Sequence, residues 1–248
     1  MTELLIAVGL IGGVVAAHEL GFWLGSLDRS ADDPFDRQVA LVRTSTAALV
    51  AFLIGFAFSG AASRFIDRLD VIVKEANALG TAYLRADTIA EPQRSELKAA
   101  LKEYTADRVQ LLSGKRRDQI EPLLAKVGAL HERMWQSVVK GTQGNAELMQ
   151  IVLPPINEVI DLHSAHLAMA RRHLPLPIMA VLLGTAAIGI GMVGFGNGRV
   201  GRRFTLLDSV YGIVLAVALW MTIDLDYPSI GIIRVINRPV VDTLAAMK

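Results

Sequence analysis

The chain has 248 residues and a mean hydropathy of +0.42, with 52% apolar residues yet 20% charged ones. Such a composition requires apolar blocks that alternate with charged ones. A net charge of +1, with no basic stripe interleaved with aromatics, argues against a nucleic-acid partner. The absence of cysteine excludes disulfides, thiolate nucleophiles and cysteine-based metal sites, and leaves the redox compartment open.

The first apolar block, Leu4 to Leu24, is long enough to span a bilayer. Met1-Thr2-Glu3 lacks the basic start of a secretory signal, so the block is expected to be retained. Gly9, Gly12 and Gly13 predict close approach of a neighbouring helix. His18 and Glu19 lie near its far end, and Trp23 reads as a belt aromatic, which places the pair at the membrane surface. SLDRSADDPFDRQ (26–38) is a polar loop turned by Asp33-Pro34. It lacks the spacing and glycine of an EF-hand and reads as a solvated turn.

A continuous helix is predicted from about Thr44 to Ile89, since no proline interrupts it and its glycines are isolated. At 1.5 Å per residue it spans roughly 65–70 Å, over twice the hydrocarbon thickness. Its first half is apolar, with Gly55 and Ser59 four apart on a small-residue face. Its second half carries Phe65, Leu69, Ile72, Ala76, Leu79 and Tyr83 at 4-3-4-3-4 spacing, the seam of a helical bundle.

Glu91-Pro92 breaks this helix and starts another, whose seam is Leu97, Leu101, Tyr104 and Leu111, closed by Ser113-Gly114. A further helix over 117–140 repeats the pattern at Ile120, Leu124, Val127, His131, Met134 and Val138. The segment 146–173 carries Leu148, Val152, Ile156, Val159, His163 and Ala170, and Pro154-Pro155 is expected to kink or split it. His163 and His166, with Glu158 and Asp161 upstream, are weak candidates for a transition-metal site; ordinary bundle histidines are the preferred reading.

The third span is Leu174 to Phe195, rich in glycine at Gly184, Gly189, Gly191 and Gly194, which predicts tight helix contacts or a thin-walled passage. GFGNGRVG within 194–201 follows no strand, so it is discounted as a phosphate loop and read as a hairpin turn over 196–203. Phe204 to Ile223 is the fourth span, with Asp208 expected to pair with Arg202 or Arg203. Trp220 and Tyr227 bracket the opposite boundary. Pro228, Gly231 and Pro239 mark the remainder as an extended or irregular tail.

The chain therefore divides into spans 1 and 2 (1–63), a helical segment (64–173), spans 3 and 4 (174–223) and a tail (224–248). Arginines after the first span and in the second short loop favour cytoplasmic short loops and an external helical domain, although Arg64, Arg68, Arg171, Arg172, Arg234 and Arg238 crowd the other boundary.

VKEANALGTAYLRAD (73–87), DLDYPSIGIIRV (224–235) and FLIGFAFSGAASRF (52–65) resemble the bacterial bestrophin-like membrane family. The resemblance implies two spans on either side of a soluble helical insert, and it extends to the bestrophins, pentameric anion channels with a cytosolic helical domain. That analogy puts the helical domain inside, opposite to the arginine count. Within the family blocks Glu75, Asn77, Thr81 and Arg85 read as a polar ridge beside the seam, fixing register or facing a water-filled vestibule. Asp224 and Asp226 sit where the last span emerges and are expected to neutralise Arg68 or Arg171.

The expected fold is all-α: a four-span membrane bundle with a soluble helical bundle inserted between spans 2 and 3. The expected function is an oligomeric, channel-like protein of the bacterial inner membrane, in contact with lipid and passing ions, anions by the bestrophin resemblance, between glycine- and alanine-rich helices. The alternative is a membrane-anchored sensor or scaffold whose helical domain binds a ligand or partner. No nucleophile–base pair, phosphate loop or cofactor motif supports an enzyme.

Overall fold

A computed structural model describes residues 2–27, 33–113, 117–203, 205–228 and 231–248. Among them there is no strand, and the helices are α1 (Thr2–Leu27), α2 (Asp33–Arg85), α3 (Gln93–Leu112), α4 (Arg117–Gly141), α5 (Ala146–Ala170), α6 (Leu176–Val200), α7 (Thr205–Asp226) and α8 (Arg238–Ala246). Four helical stretches are long and apolar enough to cross a membrane: Leu4–Leu27, Pro34–Thr88, Leu176–Val200 and Leu206–Asp226. The middle of the acidic loop (28–32), Gly114 and the side chain of Ile120 lie outside the described residues.

Four local expectations are corrected. The long helix begins at Asp33 rather than Thr44 and ends at Arg85 in a 3-10 turn, Ala86–Thr88. Pro34 occupies its first turn, where a missing N–H costs nothing. Pro154-Pro155 does not split α5, which runs unbroken from Ala146 to Ala170. The GFGNGRVG stretch is not a hairpin turn: α6 continues through it to Val200, and Gly201, at φ +68°, closes the helix in the left-handed conformation. The tail is not irregular throughout, since α8 forms over Arg238–Ala246 with Pro239 in its first turn.

The chain divides into two compact units, Met1–Phe65 with His173–Arg234 and Ile66–Arg172 with Val235–Lys248. In the first unit, Val50 and Ala57 of α2 are buried among Leu182, Ala186 and Ile190 of α6 and Leu215 and Leu219 of α7. α1 packs on α6 through glycine. A Cβ at Gly21 or Gly25 would overlap the backbone of Gly191 or Phe195, and one at Gly194 or Gly198 would overlap the backbone of His18 or Phe22. Reciprocal glycines four apart thus let the two backbones touch. By contrast, nothing lies within 4 Å of a Cβ at Gly9, Gly12 or Gly13, so the contact glycines of α1 are not the ones its sequence suggests.

The second unit is a helical bundle. Its core gathers Leu79 and Ala82 of α2, Leu97, Leu101 and Tyr104 of α3, Leu130, Met134 and Val138 of α4, and Val152, Ile156 and Val159 of α5. The predicted seams supply most of these residues, while Ala170 at the end of α5 is exposed. Val240 of α8 is fully buried in a smaller cluster with Ile72 and Ala76. The chain end is fixed as well: Met247 joins the main core, and Tyr83 Oη donates to the carbonyl of Lys248.

Candidate functional site

Within the first unit α2 has two unlike faces. Val50, Ala57 and Ala61 are buried, whereas Phe52 and Phe56 are 69% and 70% exposed, and Gly55, Ser59 and Ser63 are exposed with them. Phe52, Phe56, Ser59 and Ser63 follow one another at spacings of four, three and four, so a single helical stripe holds them all. The small-residue candidates of the spans separate accordingly. Gly189 packs a Cβ position 3.0 Å from Val50 Cγ2, and Gly191 faces Ala17 O at 3.4 Å. Gly55 and Gly184 have open space around them.

The predicted ridge on the later part of α2 is corrected. Asn77, Thr81 and Arg85 are exposed, but Glu75 is wholly buried. Two residues of α-helix turn the chain by about 200°, so Glu75 and Asn77 must face opposite ways. Glu75 Oε1 accepts from Arg108 Nε at 2.6 Å and from Tyr104 Oη at 2.7 Å, and Oε2 accepts from Arg108 Nη2 at 2.6 Å. Arg108 and Tyr104 are themselves 1% and 0% exposed. A planar guanidinium can meet both carboxylate oxygens at once, which is why this pair is tolerated without water. Burial pushes the Tyr104 hydroxyl well above its ordinary range, helped by the Glu75 charge. For Arg108, burial acts against the charge, yet the carboxylate outweighs it and holds the guanidinium charged.

Three histidines adjoin this pair. The His131 ring lies 5.2 Å from those of Tyr104 and His163, and the two histidines meet edge to face. Burial lowers the pKa of His131, and burial plus the Arg108 charge lowers those of His163 and His166 to about 4. The imidazoles are therefore neutral at pH 7. Glu158 and Asp161, the carboxylates that would complete a metal set with His163 and His166, are exposed, and among the described residues no group of three ligating side chains converges. His163 is buried in the bundle wall and His166 is partly buried.

The remaining charges were assigned to the right regions and partly to the wrong partners. Asp208 does not rely on Arg202 or Arg203: it accepts from Asn197 Nδ2 at 2.8 Å and lies 3.3 Å from His18 Nε2. Arg203 pairs with Glu19 in a two-pronged contact of 2.7 and 3.0 Å. The arginine on Asp226 is Arg64, at 2.7 Å, and Asp226 Oδ2 accepts the N–H of Leu174 at 2.7 Å. Asp224 accepts the backbone N–H groups of Ile232 and Ile233, both at 2.9 Å, and a Cβ at Gly231 would overlap its carboxylate. Arg68 donates to the carbonyls of Arg172 at 2.6 Å and Met169 at 3.4 Å, neutralising the end of α5.

Sequence reading missed Arg108 and Tyr104 as partners of Glu75. The only signal was an arginine four residues after a seam tyrosine, on the inward face of a helix.

The sequence model of the Bestrophin-like domain matches residues 12–240. Among solved structures, a mutant of a bacterial bestrophin homologue from Klebsiella pneumoniae is 12% identical, with a TM-score of 0.70 and a match covering 100% of this chain and 99% of that one. A second mutant of that homologue gives 12% identity, a TM-score of 0.68 and coverage of 95% and 98%. The form solved with zinc phasing gives 12%, 0.65, and 94% and 95%. No curated protein matches the chain. At this identity the structural likeness speaks for the fold, and it is the sequence model, spanning all four apolar helices and the bundle, that decides membership: the chain belongs to the Bestrophin-like family.

Proposed function

We propose that the protein is an oligomeric ion channel of the bacterial inner membrane, with several copies arranged so that the exposed stripe of α2 faces a common axis. The observation that carries this reading is the pair Phe52 and Phe56, about seven-tenths exposed beside the small residues Gly55, Ser59 and Ser63. Aromatic rings at successive turns make an apolar constriction, and small neighbours widen the passage next to it. Anions are the permeant class favoured by the kinship with bestrophins. In this reading Gly189 and Gly191 are packing positions, Gly55 and Ser59 belong to the pathway, and no residue is catalytic.

The second unit forms a soluble bundle between spans 2 and 3, external if the short loops are cytoplasmic. A single cysteine at Ser113, probed with an impermeant thiol reagent in intact cells, tests that orientation. Labelling supports an external bundle, and protection reverses it. Purified protein in planar bilayers is expected to conduct; silence to both anions and cations overturns the channel and leaves the sensor or scaffold reading.

A further inference from the structure

The first unit contains a cavity of about 300 Å³ on the α1/α7 side of the membrane helices. Its long walls are apolar: Ile11, Val14 and Val15 on α1, and Ile213 and Ala216 on α7. From residue 11 to residue 19 the α1 wall runs about 12 Å along the helix axis. Ile11, Val15 and Ile213 are each more than half exposed, so the cavity opens sideways. Gly212 forms part of its floor, where a Cβ would come 3.1 Å from Val14 Cγ1.

One end is charged. Glu19 and Arg203 satisfy each other there, with the guanidinium also 4.2 Å over the Phe22 ring, yet Arg203 stays about half exposed. Among the described residues, Asp208 meets no arginine or lysine. It holds the neutral amide of Asn197, and His18 Nε2 at 3.3 Å is out of hydrogen-bonding alignment and is left without a partner. The other ring nitrogen, Nδ1, lies 3.5 Å from Glu19 Oε1, and Nε2 is itself buried against Asp208. The end therefore presents an under-neutralised carboxylate beside a cation with room for a second anion.

We propose that this groove is a binding site for a phospholipid with a primary-amine head group, phosphatidylethanolamine. The ammonium donates to Asp208, the phosphate takes the open side of Arg203, and one acyl chain lies along Ile11, Val15 and Ile213. A free amine would leave the apolar walls unused, and a glycerol head group would offer Asp208 hydroxyl donors but no positive charge. A choline head carries the same charge but has no N–H to donate.

The test is native mass spectrometry of the purified full-length oligomer, delipidated and then titrated with phosphatidylethanolamine, phosphatidylcholine or phosphatidylglycerol of matched chains. The wild type is expected to retain the ethanolamine lipid at least about tenfold better than the other two, the ratio of one charge-assisted hydrogen bond. Asp208→Asn should bring that preference close to one while the oligomer stays intact. Gly212→Leu, which fills the floor, should reduce binding of all three lipids. Equal retention of the three lipids by the wild type overturns the proposal. So does an undiminished preference in Asp208→Asn, or a change of oligomeric state in Gly212→Leu with lipid binding unchanged, which would make the groove a protein interface. None of these readouts depends on whether the protein conducts.

Discussion

Arg85 Nη1 donates to Ile151 O at 2.7 Å. In an α-helix that carbonyl would accept from the N–H four residues on, which here is Pro155 and has none. A side chain from α2 thus supplies one of the two donors that the prolines remove from α5, which runs on through both.

Arg85→Ala should destabilise the protein by about 1 kcal/mol, since the bond is exposed and water can replace part of it. In a Pro155→Ala background the same change should cost less, because residue 155 then donates for itself. A double-mutant cycle by denaturant or thermal unfolding in detergent reads the coupling. Equal costs in both backgrounds would remove Arg85 from this role.

Glu75→Gln strands the Arg108 guanidinium in the core of the bundle, and Arg108→Met strands the carboxylate. Each should cost about 3–5 kcal/mol, the range for breaking one side of a buried pair. Replacing both, Glu75→Leu with Arg108→Met, should cost less than either alone, because neither charge is then buried unpaired. Thermal unfolding of the three variants checks the order.

Stability should fall as the solution is acidified. His163 and His166 titrate near 4 in the folded protein against about 6.5 when unfolded, so between those values the unfolded chain binds more protons. Their contribution is complete above about pH 6.5, declines as pH drops through the unfolded value, and levels off near the folded one. His163→Phe should flatten the melting-temperature profile between pH 6.5 and 4.5. A profile as steep as the wild type's would assign the loss to other groups.

Gly194→Leu should abolish the α1–α6 contact, because the added side chain has only the backbone of His18 and Phe22 to enter. A cost above about 2 kcal/mol, or loss of the folded protein by size-exclusion chromatography, is expected. Gly9→Leu, with nothing within 4 Å of its Cβ position, should fold as the wild type does.

Phe52→Ala and Phe56→Ala together should raise single-channel conductance, since they remove the apolar rings on the exposed α2 stripe. An unchanged conductance in planar bilayers would move the pathway away from this face.

The bundle seams were legible because burial alone fixes their 3.6-residue period: Leu79, Leu101, Met134 and Val159 were all placed inward, and all are buried. Prolines and glycines were read less well. Pro154-Pro155 marks missing donors, yet α5 stays continuous, with Arg85, 66 residues before Ile151, replacing one of them. Likewise GFGNGRVG has the composition of a loop in water. It is helical where its glycines Gly194 and Gly198 meet the backbone of α1.

What the sequence determined by itself was the kind of molecule: four apolar helices, a long uninterrupted α2, and a second helical unit with its seams in register. Each follows from local composition and period. Tertiary structure decided the pairings, because the partner of a buried charge is set by which helices pack and not by distance along the chain. It turned Glu75 away from Asn77 and onto Arg108 and Tyr104, gave Asp226 to Arg64, and left Asp208 beside His18. Of α2 it likewise decided which face stays open: Phe52 and Phe56 are exposed and Glu75 is buried.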